Sequence, residues 1–103
     1  MVEDIFASLN GLFVEGAVAK PITFYFSLGD TKKTVELSPE SFAVSDGKVV
    51  DNADCVCKTS PEFFVKIWEE DYRPGMKDFL SGTIKSNNPN ALQEFLRGFG
   101  KPS

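Results

Sequence analysis

A chain of 103 residues has room for one domain and one core, and buries roughly two-thirds of the surface that its unfolded form exposes. Hydrophobic residues at 42% and aromatic residues at 13% exclude a disordered chain, and ten of the aromatics are Phe, which brings ring area without a polar handle. A net charge of −4 excludes nucleic acid as a favoured partner, with Lys32-Lys33 the only basic doublet.

Residues 3–13 read as a first helix, because Ile5, Phe6, Leu9, Leu12 and Phe13 recur at spacings of three and four. Gly16 and Pro21 mark the exit into a strand. Ile22 to Leu28 alternates strictly, with Ile22, Phe24, Phe26 and Leu28 on one face and Thr23, Tyr25 and Ser27 on the other. After a turn at Gly29-Asp30-Thr31, Val35 and Leu37 alternate with Thr34, Glu36 and Ser38 in a second strand. A third strand places Phe42 and Val44 inward. Asp46-Gly47 then predicts a hairpin, with the return strand starting at Val49-Val50 and continuing through Cys55-Val56-Cys57.

The second helix is predicted from Thr59-Ser60-Pro61-Glu62, which supplies a cap, a first-turn proline and an acid at the positive end of the dipole. Phe63, Phe64, Ile67 and Trp68 form its apolar face. Asp71 to Gly75 is a loop, and Met76–Leu80 is a short helical turn ended by Gly82. A strand follows at Thr83–Ser86. Asn88-Pro89 opens the last helix, which carries Leu92, Phe95, Leu96 and Phe99 and ends at Gly98 and Gly100. Early strands and late helices predict an α+β fold: a five-stranded mixed, mostly antiparallel sheet covered on one face by helices. The passage from 53 to 86 allows one crossover. No interdomain linker interrupts the chain, so residues 1–103 are expected to form a single domain.

Met1-Val2-Glu3-Asp4 is acidic where a signal peptide is basic, and no apolar run approaches the ~20 residues that span a bilayer. Lys101-Pro102-Ser103 is not a peroxisomal signal. A soluble, cytoplasmic protein is expected. Cys55 and Cys57 would share one strand face about 6.6 Å apart, too far for an unstrained disulfide. Without histidine they make a poor zinc site, and two small buried strand residues is the simpler reading.

The residues that usually carry catalysis are scarce. There is no histidine, no Gly-rich phosphate loop and no metal-spaced cluster, so no cofactor is expected. Glu69, Glu70 and Asp71 are most simply a solvated helix end. A small enzyme using these carboxylates or a cysteine is the weakest of three functional hypotheses. What stands out is apolar: Phe24, Phe26 and Phe42 on the sheet, Phe63, Phe64, Trp68 and Phe79 in the middle helices, Phe95 and Phe99 in the last. These rings fit either an ordinary Phe-rich core or a core that leaves an apolar pocket.

Phe79-Leu80-Ser81-Gly82-Thr83-Ile84-Lys85 resembles the aromatic-apolar-x-Gly-x-apolar-x signature of the sterol carrier protein 2 (SCP2-like) lipid-binding family. Ala53-Asp54-Cys55-Val56-Cys57, leading into a capped helix, is similar to that family's small-Asp-apolar-x-apolar strand. The likeness runs in order along nearly the whole chain. It implies a sheet with helices on one side enclosing a hydrophobic tunnel, and non-enzymatic binding or transfer of a sterol, fatty acid or acyl-CoA. Phe24, Phe26, Phe42, Phe64, Trp68, Met76, Phe79, Leu80 and Ile84 would lie near the tunnel, with Leu92, Phe95, Leu96 and Phe99 capping it. Partners would be a lipid or other apolar small molecule, with transient membrane-surface contact and a homodimer both admitted. The alternative is a protein-interaction or dimerisation module of the same fold without lipid transfer. Cysteines stand where larger aliphatics are usual, which would widen the cavity.

Overall fold

A computed structural model describes residues 2–101 and shows a five-stranded sheet with its helices on one face. Met1, Pro102 and Ser103, used in the reading of the termini, lie outside the described residues. The first helix, α1 (Val2–Ser8), is shorter than its apolar spacing predicts. It tightens into a single 3-10 turn over Leu9–Gly11, where Asn10-Gly11 is a poor continuation of an α-helix. β1 (Ile22–Leu28) is the central strand, and its burial alternates without a break, as the sequence requires. A two-residue turn at Gly29-Asp30 returns the chain into β2 (Thr31–Leu37), antiparallel to β1. β3 (Phe42–Asp46) pairs antiparallel with β2 and forms one edge.

The expected hairpin at Asp46-Gly47 does not form. Gly47 has the positive φ (+77°) that the dipeptide favours, and its N–H donates to Lys32 O at 2.8 Å. Residues 47–54, however, contain no strand. They cross the sheet face opposite the helices: Thr34 Oγ1 donates to Gly47 O at 2.7 Å and accepts from Val49 N at 3.3 Å. The chain then enters β4 (Cys55–Thr59) parallel to β1, on its other side. That parallel pair is the crossover, placed one connection earlier than the 53–86 passage expected to hold it.

From β4 the chain passes into α2 (Pro61–Glu69), α3 (Met76–Leu80) and β5 (Ile84–Ser86), which pairs antiparallel with β4. The sheet order is β3-β2-β1-β4-β5, with one parallel and three antiparallel pairs. Ser60 caps α2 by accepting from Phe63 N, with Pro61 in the first turn. Asn88 does the same for α4 (Pro89–Gly98), accepting from Ala91 N at 3.2 Å. The last helical residue, Gly98, is buried against β2. A Cβ there would lie 3.1 Å from Leu37 Cδ2, so a larger residue would have to push that methyl back by a few tenths of an ångström.

Candidate apolar site between the sheet and the helices

The inward face of β1 determines what the helices can cover. Phe24 and Phe26 are fully buried and point at α4, whose Phe95 lies 5.2 Å and 4.8 Å from them, ring centre to ring centre. Phe95 is the hub of the interior: Phe99 lies 5.1 Å away and Trp68 6.0 Å away. α2 adds Phe64, which meets Phe26 at 5.6 Å in an edge-on contact and Phe6 of α1 at 5.9 Å in a stacked one. At the far end Phe99 stands edge-on to Phe42 at 5.1 Å, and Phe13 joins at 5.3 Å from Phe42. These spacings are those of rings in direct contact. Side chains therefore fill the layer between sheet and helices along this line.

The thirteen residues expected at the tunnel separate into three groups. Phe24, Phe26, Phe64, Trp68, Ile84, Leu92, Phe95, Leu96 and Phe99 are all buried in one apolar cluster. Phe42 and Phe79 are half-buried and pack against it. Met76 and Leu80 are not part of the interior, with 78% and 80% of their surface exposed. They sit four residues apart on α3, which buries none of its own residues. α3 is instead tied down by polar contacts: the Tyr72 hydroxyl donates to Asp78 Oδ2 at 2.6 Å, and Gly75 N–H donates to the same oxygen at 3.0 Å. These two bonds, the phenol first, hold the Asp78 carboxyl below its usual range, and the same contact pushes the Tyr72 phenol up.

Sequence reasoning does not find Val2 or Val18 as parts of this core, although both are buried. It also misses Lys33, which occupies an inward position of β2. Its ammonium donates to Asp46 Oδ1, pairs with Glu3 Oε1 at 2.8 Å, and lies 5.9 Å from the centre of the Phe6 ring. The hydrogen bonds to Asp46 and Glu3 raise its pKa above the ordinary lysine value.

Cys55 and Cys57 are free thiols, fully buried on the inward face of β4, as the simpler sequence reading expects. Burial pushes the Cys57 thiol up to about 12 and raises that of Cys55. Both are held as inert thiols, because the thiolate is the reactive form. Among the described residues there is no group of three or more side chains that could hold a metal ion. Glu69, Glu70 and Asp71 are exposed, and Asp71 adopts a positive φ of 54° where the chain leaves α2. None of the described helices is long and apolar enough to cross a membrane.

No family model matches the chain, and no curated protein matches it. Solved structures do. The sec-alkylsulfatase Pisa1 from Pseudomonas sp. is similar over the whole of this chain, with a TM-score of 0.77 at 15% identity. A double mutant of the same enzyme gives 0.79 at 18%. In both cases this chain spans only 17% of the sulfatase length. A ubiquinone synthesis protein, UbiJ-SCP2, is similar over 90% of this chain and 71% of its own, with a TM-score of 0.55 at 13% identity. With its five-stranded mixed sheet and one-sided helical cover, the chain has an SCP2-like fold.

Proposed function

We propose that this chain is a single-domain, non-enzymatic module that binds or transfers an apolar lipid (a sterol, fatty acid or acyl-CoA) between its sheet and its helices, in a soluble, cytoplasmic setting. The observation that carries this reading is an SCP2-like fold whose interior is a continuous row of rings. The thirteen residues named above are the proposed lining and rim of the site.

Energetics set the form that such a site takes. A permanent dry void of ~300 Å3 would cost roughly 7 kcal/mol, against a total stability of about 5–15 kcal/mol. The ligand space therefore forms as ligand enters, with methylenes replacing ring–ring contacts. Burying about ten methylenes yields ~8 kcal/mol gross. Association costs remove much of that, which leaves micromolar affinity and broad selectivity. α3 is the natural entrance, because it has no fully buried residue and moving it uncovers mainly the half-buried Phe79. Its exposed Met76 and Leu80 suit transient contact with a membrane surface. A role without chemistry is supported by the exposed carboxylates and the inert thiols.

Trp68 is buried within the ring cluster and reports on it directly. Titration with a fatty acid, a sterol and an acyl-CoA is expected to change its emission saturably at micromolar concentration for at least one of them. No saturable change with any of the three overturns the reading.

One observation favours a second reading, that of an interaction module. The Pisa1 structures match more closely than UbiJ-SCP2 does, and they match only as a small part of a larger enzyme. In that case the apolar rim packs on a partner domain or a second copy. Sedimentation then shows a concentration-dependent dimer that excludes lipid.

A further inference from the structure

Strand pairing gathers positive charge on the face of the sheet that the helices leave uncovered. Ser27 of β1 is the register partner of both Lys32 on β2 and Lys58 on β4, and Lys58 is the register partner of Lys85 on β5. Three of the nine lysines thus form one row with a single serine among them. With strands ~4.8 Å apart, the row is about 14 Å long. It lines a concavity of about 600 Å3, closed at one end by Thr83 and by Pro61 in the first turn of α2.

An ordinary solvated lysine face would interleave acids. This one does not: among the described residues no carboxylate lines the concavity, in a chain whose net charge is −4. The Lys32 ammonium donates to Gly29 O, and neither Lys58 nor Lys85 pairs with a carboxylate among the described residues. Lys33, the neighbour of Lys32 on the opposite face, has two carboxylate partners. Like charges directly opposite each other across strands destabilise a sheet, and Lys58 faces Lys85 in just that way. The positive end of the nine-residue α2 adds to the same field. The volume lies within the range of small-molecule sites.

We propose that this concavity binds a small polyanion through phosphate or sulfate groups, with Lys58 and Lys85 as the principal contacts, Lys32 at the rim and the Ser27 hydroxyl as a neutral donor. The site is on the opposite side of the sheet from the rings, so it stands or falls independently of the apolar site.

The test compares wild type with Lys58→Gln/Lys85→Gln and with a control, Lys20→Gln/Arg97→Gln, which removes the same charge from exposed positions outside the concavity and outside α3. One arm titrates inorganic pyrophosphate and inorganic sulfate, following the Ser27 and Thr83 amide signals. The other measures co-sedimentation with phosphatidylcholine vesicles with and without phosphatidylglycerol. Binding to soluble anion or to anionic vesicles is expected, weakened about tenfold in the Lys58/Lys85 pair, unchanged in the control and reduced by added salt. The arm that responds identifies the source of the anion. Absence of binding in both arms, or equal weakening in both double variants, overturns the proposal. Unchanged thermal midpoints verify that the variants are folded.

Discussion

Lys33 shows how a charged residue comes to occupy a core position. Its stem lies along Phe6, and its ammonium reaches out to Glu3 and Asp46, which themselves remain largely in water. Removing the amine strands no buried partner, so Lys33→Met is expected to change stability by less than about 1 kcal/mol at neutral pH. Lys33→Ala also loses the packing of the stem and should cost about 2 kcal/mol. Denaturant melts of both variants check this ordering. The pH dependence has a definite sign. The folded-state pKa of Lys33 is raised, so its contribution is complete below the unfolded value of 10.5 and is lost as pH rises through the folded value. Melts repeated above 10.5 should show wild type losing stability that Lys33→Met, having nothing to titrate at that position, retains. The residue type alone argues for a solvent position. Alternation with Val35 and Leu37, together with the register that sets Phe26 on one side and Asp46 on the other, places Lys33 inward.

At the scale of elements, α3 is held by polar bonds and by the half-buried Phe79, and it has no fully buried residue. Asp78→Ala removes both the Tyr72 and the Gly75 contacts. Amide exchange across 76–80 is expected to accelerate by an order of magnitude, while the global thermal midpoint stays close to that of wild type. A large global loss would mean that α3 is part of the main cooperative unit, and would remove it as an entrance. Acid should act in the same direction. The Asp78 pKa is depressed, so its contribution is present above the ordinary value of 3.8 and fades as pH falls through the folded value. Local chemistry makes several elements readable from sequence. Ser60-Pro61 and Asn88-Pro89 fix two helix starts, and strict alternation fixes β1. Asp46-Gly47 misleads because a turn dipeptide specifies its own dihedrals and not the strand that comes next. The glycine conformation is as expected, yet the following strand pairs with β1.

For the molecule as a whole, Phe95 is the residue on which sheet and helices converge. Phe95→Ala should cost about 3–5 kcal/mol, a large share of the total. If the interior accepts apolar guests, a saturating fatty acid will recover part of that loss in a thermal melt, and by more than it stabilises wild type. An identical shift in both proteins would place the guest elsewhere. The apolar half of this picture is legible in the sequence, since Phe spacing within single elements marks the inward faces. The basic row is not. Lys32, Lys58 and Lys85 are about one element pair apart in the chain, and they meet only because Ser27 of the central strand pairs on both sides.

The parallel pairing of β1 with β4 has a consequence for how the polypeptide could be divided. Residues 2–46 form a three-stranded meander with its own helix, and residues 55–101 supply the other two strands and the remaining helices. The two parts are joined covalently by the crossing segment alone, but they are zipped together by a ladder from Phe24–Cys55 to Leu28–Thr59 and by the contact of Phe24 and Phe26 with Phe95. A single proteolytic nick between Asn52 and Ala53 should therefore leave a complementing pair of fragments that co-migrate on a sizing column and separate only in denaturant.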